Sequence, residues 1–248
     1  MDKWFLNEES IVKPEFFAPD NLRPVKVGVI VFIKRVYECT KSMASNIILE
    51  EEESIIGCKR HFATKDGIAV FYSYFGAPAA VALTEALIAA GIKKILVFGE
   101  AGSISPNVNV GEIVIPTFAI REEGTSYHYL PPNVKVAPTG DFLKKIAKIL
   151  EESNIPFKMG GVWSTDAPFR ETISKVKSYS NMGVLAVDME CSAVFALSMY
   201  RRSDSAALLV ITDTLHEGVW RQSFEDSRVI NSEKNVSEVL MSCLKTII

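Results

Sequence analysis

Six short runs of β-branched and apolar residues recur along the chain, at Val25–Ile33, Gly67–Tyr74, Lys94–Phe98, Glu112–Pro116, Val184–Asp188 and Ala207–Thr212. Runs that are apolar throughout, with no alternation of polar residues, belong to strands covered on both faces. Helix-forming stretches fall between several of them, so the expected fold class is α/β, with a mixed central β-sheet flanked by helices. Pro78–Ala90 is nearly all strong helix formers and is followed by Gly91, where a terminating glycine belongs. Gly140–Asn154 sets Phe142, Ile146, Ile149 and Leu150 on one stripe, with Asp141 as the expected N-cap. Met189–Tyr200 ends in Arg201 and Arg202, cations suited to a helix C-terminus, and Glu233–Ile247 repeats the amphipathic spacing.

No internal repeat or Gly/Ser linker divides the chain. One domain is expected over residues 25–248, after an irregular lead-in over 1–24 that carries Pro14, Pro19 and Pro24. At 248 residues a real core needs no staples. The net charge is −3 with no basic stripe, which argues against a nucleic-acid partner. No apolar run approaches the roughly 20 residues of a membrane span, and the polar start MDKWFLNEES lacks a signal-peptide core, so a cytoplasmic location is expected. Cys39, Cys58, Cys191 and Cys243 are scattered and only three histidines are present, which supports neither a disulfide framework nor a metal site.

In open α/β sheets, ligands sit beyond the carboxyl ends of the strands. Four places therefore stand out: Lys34-Arg35, Gly99-Glu100-Ala101-Gly102-Ser103, Asp188-Met189-Glu190, and Asp213. Gly99–Ser103 reads as a strand end followed by a glycine-rich turn, either plain or offering backbone N–H groups to an anion. Asp188 is well explained as a helix cap. Glu190 is not, because small and apolar residues follow it, so its carboxylate should face a cleft or a buried partner. A pair of vicinal sugar hydroxyls would give it two charge-assisted donors. Asp213 either caps a turn or, with burial raising its pKa, serves as a general acid.

These residues resemble the nucleoside phosphorylases and nucleosidases of the purine/uridine phosphorylase type. The resemblance rests on GEAGSISPNVNVGEIVIP (Gly99–Pro116), VDMECSAVFAL (Val187–Leu197) and TDAPFRE (Thr165–Glu171), supported by YFGAPAAVALTEAL and LVITD. It implies phosphorolytic cleavage of the N-glycosidic bond of a nucleoside, without metal or organic cofactor and with phosphate as co-substrate. By the same resemblance Glu190 grips the ribose hydroxyls, Met189 packs on the sugar, and Asp213 acts at N7 of a purine. Arg35, with the backbone of Gly99, Gly102 and Ser103, would hold phosphate. Phe169 and Arg170 lie where base contacts are expected, and Phe169 serves equally as a core residue. Pyrimidine-specific members carry a Gln-x-Arg pair and lack the strand-end aspartate, so a purine is favoured here, with uridine still open.

The phosphate region departs from the family pattern. The loop glycine after the first strand is lost, Val97 stands where a second arginine is expected, and Glu100 replaces a hydroxyl residue. Glu100 then points away, pairs with Arg35, or marks a protein that does not bind phosphate as its relatives do. Hydrolysis by water, with Glu100 as a relocated base, and a catalytically silent nucleoside binder remain the alternatives. The resemblance also implies a homo-oligomer, a dimer or hexamer, in which Arg60 either reaches a neighbour's site or belongs to a solvated basic patch. His216 and Trp220 lie on a stretch that often forms a flap, and His128 reads as loop packing.

Overall fold

Ten strands and six helices make up most of residues 8–248, the part of the chain described by the structure, a computed structural model. In chain order they are β1 (Val27–Val31), α1 (Lys34–Met43), β2 (Ile47–Glu52), β3 (Cys58–Thr64), β4 (Ile68–Ser73), α2 (Ala77–Ala89), β5 (Lys94–Ser103) and β6 (Ile113–Glu122). Then follow α3 (Gly140–Glu152), β7 (Phe157–Thr165), α4 (Ile173–Ser180), β8 (Val184–Asp188), α5 (Cys191–Arg201), β9 (Asp204–Thr214), β10 (Arg221–Gln222) and α6 (Ser227–Cys243). The first seven residues of the expected lead-in lie outside this part. Pro14–Phe17 and Asp20–Leu22 form short 3-10 turns.

The apolar runs form the middle of one mixed sheet, as expected. Val27, Val29 and Val31 of β1 enter one hydrophobic layer, and Ile30 enters the layer on the opposite face. Leu96 and Phe98 against Ile95 and Val97 in β5 divide in the same way, as do Leu208 and Val210 against Leu209 and Ile211 in β9. On one side Leu83 and Leu87 of α2 and Phe195 of α5 complete the core; on the other, Val36 of α1, Ile146 and Leu150 of α3 and Leu240 of α6 do. Both faces are covered by helices, so the central strands need no polar side.

The sheet runs β10-β9-β6-β7-β8-β5-β1-β4-β3-β2, and β9 also pairs with β5. Strands β5, β8, β7, β6 and β9 thereby close into a ring, while β10 and β2 remain at the edges. The edge strand β2 carries Glu50, Glu51 and Glu52, charges that discourage pairing with another chain. Strands β4, β1, β5 and β9 are mutually parallel, so their carboxyl ends meet at one side. No helix among the described residues is long and apolar enough to cross a membrane.

Three local expectations are corrected. Gly99–Ser103 is not a turn: β5 continues through it, pairing Gly99–Ser103 with Leu209–Thr214 of β9 and Gly102-Ser103 with Val187 and Ala186 of β8. Ladder pairing on two sides takes up backbone groups that a free turn would offer to an anion. Lys34-Arg35 is not a loop either but the first turn of α1. Asp141 is not the N-cap of α3, because the helix starts at Gly140 with Thr139 at the cap; Asp141 instead places a negative charge in the first turn, where the helix dipole favours it.

Candidate active site

The strand ends enclose a cavity of about 440 Å³. Phe32 and Ile33 follow β1, Glu100 and Gly102 lie in the last part of β5, Asp188 to Glu190 leave β8, and Thr212 and Asp213 end β9. Phe75 after β4, Phe169 and Glu171 after β7, and Leu215, Trp220 and Phe224 after β9 form the remaining wall. Three of the four strand-end places singled out above thus converge with the Thr165–Glu171 segment, and Glu190 and Asp213 open onto the same space.

Glu190 is nearly fully buried at the start of α5. One carboxylate oxygen accepts the N–H of Gly76 and the other that of Met189 at 3.2 Å. Gly76 has φ +98°, a conformation that L side chains rarely adopt, and this turn aims its N–H at the carboxylate as α2 begins. Burial, and then the neighbouring Asp188, push the Glu190 carboxyl above its ordinary pKa. Asp188 itself accepts the N–H groups of Cys191 at 2.8 Å and Glu190 at 3.3 Å, and the Ser164 hydroxyl. It caps α5, the plain role expected of it, and leaves Glu190 as the carboxylate not used for capping.

Asp213 is positioned by an irregularity in the β5–β9 ladder, where Ala101 pairs with Ile211 but Gly102 with Asp213. The extra residue, Thr212, turns the strand end, as bulges beside sites do. The Asp213 carboxylate accepts the Thr212 hydroxyl at 2.9 Å and the Trp220 indole N–H at 2.8 Å. Burial raises its pKa, and these two hydrogen bonds oppose the rise. A Cβ on Gly102 would come within 2.8 Å of the Asp213 Oδ2 and 2.7 Å of Leu215, so with any other residue one of these side chains must shift.

Arg35 reaches towards the cavity from behind Glu100. Its Nε donates to Glu233 at 2.8 Å, and one terminal nitrogen donates both to Glu233 at 3.0 Å and to Glu100 at 3.1 Å. The other terminal nitrogen donates to Glu225 at 3.2 Å. The Glu233 hydrogen bond leads the causes that raise the Arg35 pKa, so the guanidinium stays charged. Glu100 is pushed up by burial and by the adjacent Glu233, against the pull of Arg35. Glu100 does not point away but pairs with Arg35.

A family model described as the phosphorylase superfamily matches residues 50–247. The chain belongs to the phosphorylase superfamily. Among relatives of this superfamily member, a guanosine phosphorylase of Halorubrum lacusprofundi is 27% identical over 173 residues, covering 69% of this chain and 72% of that protein. A DeoD-type purine nucleoside phosphorylase of Brevibacillus brevis is 28% identical over 130 residues, covering 52% of this chain and 55% of that protein, about half its length. Among solved structures, the purine nucleoside phosphorylase of Toxoplasma gondii, in complex with immucillin-H, superposes with a TM-score of 0.79 at 20% identity, over 97% of this chain and 98% of that one. That likeness shows the fold.

Against this superfamily frame, the expected site residues divide into two groups. Met189, Glu190, Glu100, Gly102, Asp213 and Phe169 line the cavity, with Phe169 99% exposed and so not a core residue. Gly99 and Ser103 do not: Gly99 is buried, and the Ser103 hydroxyl is spent on the carbonyls of Ser105 and Val108. Val97 is wholly buried in the core and leaves no cation at its position. Arg170 is exposed outside the lining, and Arg60 lies on β3, bridging to Glu52 at 3.1 Å and Glu38 at 3.8 Å. Glu233 and Glu171 were not foreseen as site residues; burial pushes Glu171 up to about 7. No group of three or more histidine, cysteine or acidic side chains suited to a metal occurs among the described residues.

Proposed function

We propose that this chain cleaves the N-glycosidic bond of purine nucleosides by phosphorolysis. The observation that carries this reading is the opening of Glu190 and Asp213 onto one cavity in a phosphorylase-superfamily chain. The names of its relatives, a guanosine phosphorylase and purine nucleoside phosphorylases, support a purine. In this reaction the C1′–N9 bond breaks with its electron pair going to the base, while a phosphate oxygen bonds C1′ to give ribose 1-phosphate. Positive charge grows on the ribose and negative charge on the base. Asp213, its carboxyl kept protonated further up the pH scale by burial, supplies the proton or hydrogen bond at N7. Glu190 accepts from the 2′- and 3′-hydroxyls, Met189 lies against the sugar, and Phe169 with Trp220 covers the base. Arg35, which hydrogen-bonds the cavity-lining Glu100, is the cation for phosphate.

The reading includes a cytoplasmic location and a homo-oligomer, dimer or hexamer. The exposed rim aromatics Phe75 and Phe169 support a neighbouring subunit over the mouth. A second reading, hydrolysis, is favoured by one observation: Glu100, Glu171, Asp188, Glu190 and Asp213 line the cavity, and no lysine, arginine or histidine does. Purified protein is to be incubated with inosine, adenosine, guanosine and uridine, with and without phosphate, and free base measured. Release that requires phosphate and favours the purines is expected. Release that ignores phosphate moves the function to hydrolysis, and binding without release would make the chain a silent binder.

Gly102→Ala tests the role of Asp213 from the other side of the contact. The new methyl group crowds both the Asp213 carboxylate and Leu215, and a carboxylate misplaced by about 1 Å can cost a hundredfold in rate. A fall in kcat of about tenfold to a hundredfold is expected, with the circular dichroism spectrum retained. Unchanged kcat would show that the Asp213 position is immaterial.

A further inference from the structure

Arg35 is the one guanidinium among the described residues that hydrogen-bonds a cavity-lining carboxylate of β5, and its donors are almost fully committed. Glu233 holds it in two-point fashion, Glu100 shares one terminal nitrogen and Glu225 takes the other. Glu233 is 1% exposed, so its grip is a fixed part of the core, whereas Glu225 is solvated and Glu100 stands in the cavity wall. With all groups ionised, one positive charge faces three negative ones, and Asp213 adds a further negative charge from β9. A phosphate dianion arriving here meets no uncommitted cation on the lining.

A carboxylate and a phosphate present the same pair of oxygens to a guanidinium. We infer that Glu100 is a specificity-determining residue for the co-substrate: it occupies on Arg35 the place that an inorganic oxyanion takes, and the anion binds by exchanging with it. This rests on the phosphorolysis reading above. Glu100 takes up the Arg35 terminal nitrogen when no anion is present, and once ionised its negative charge opposes the anion and so sets how much phosphate is needed. Like charges held together disfavour the wrong partner strongly, so removing one of them acts on the anion and not on the nucleoside.

The test is steady-state kinetics of wild type and Glu100→Gln, with inorganic phosphate and a purine nucleoside varied separately. Glutamine leaves an oxygen on Arg35 but removes the charge. The phosphate KM is expected to fall by at least about tenfold, with the nucleoside KM within about twofold of wild type. A phosphate KM that is unchanged or raised, while release still needs phosphate, overturns the inference and leaves phosphorolysis standing. Base release by wild type that is equally fast without phosphate sinks phosphorolysis itself and the inference with it. If Glu100→Gln fails to fold by circular dichroism, Glu100→Ser decides, because it removes the same carboxylate while Glu233 still holds Arg35. A lower phosphate KM supports the exchange, and no change refutes it.

Discussion

Asp213→Asn lowers kcat for purine nucleoside cleavage by about a hundredfold or more, with the fold intact. The carboxyl end of β9 offers a group that can carry a proton to the base, and asparagine has the same shape without that capacity. Burial is the leading cause that raises the Asp213 pKa, so the protonated form persists to higher pH than for an exposed aspartate. The sign follows directly: kcat of wild type falls as pH rises through the raised pKa, because the proton is lost. The variant has no proton to lose and its residual rate lacks that fall. The Trp220 indole N–H can donate to the amide oxygen as it does to the carboxylate, so the loop over the cavity retains its anchor. Measuring kcat against pH for both proteins settles the matter. Equal rates, or an unchanged alkaline limb in the variant, would remove Asp213 from the proton transfer.

What could be read from the sequence follows from how densely each segment signals its structure. Strand β8 is legible to the residue because VLAV is apolar and bounded by Gly183 and Asp188, and α2 to within one residue at each end because PAAVALTEALIAA contains little but helix formers. Strand β2 escaped notice because IILEEE ends in three charges, which suit an edge and not a core. Strand β7 escaped because Gly160 and Gly161 interrupt it; side chains there would come within 2.5 Å of Leu185 and 2.4 Å of Phe118. Such glycines answer to a tertiary contact that no local pattern announces. Gly102 misled in the same way, reading as a turn when its service is to the Asp213 carboxylate across the ladder. Glu233 did leave a trace: it lies on the stripe of Val229, Val236 and Leu240, so a carboxylate on the apolar face of α6 called for a buried cation. That the cation is Arg35, 198 residues away, is set by the tertiary packing of α1 on α6.

Glu190→Gln should cost still more in kcat/KM, and its signature is selective. The Glu190 oxygens already accept the N–H groups of Gly76 and Met189, which hold the carboxylate in one orientation with its remaining lone pairs towards the cavity. Two ribose hydroxyls donating to that charge are worth about 1.5–3 kcal/mol each, so losing both lowers kcat/KM by roughly a hundredfold to ten-thousandfold. Glutamine cannot substitute: its amide nitrogen would point an N–H at one of the two backbone donors or at a hydroxyl hydrogen. Wild type is accordingly expected to prefer ribonucleosides over 2′-deoxynucleosides, and the variant to lose most of that preference. The effect on stability runs the other way. Because burial raises the Glu190 pKa, the stability it contributes is present below the unfolded pKa and lost as pH rises through the folded one. The thermal midpoint of wild type should therefore decline as pH rises across the neutral range, and that of Glu190→Gln should decline less, since the amide carries no charge to desolvate. A variant that is less stable at every pH and discriminates ribose from deoxyribose as before would show that Glu190 serves the fold and does not grip the sugar.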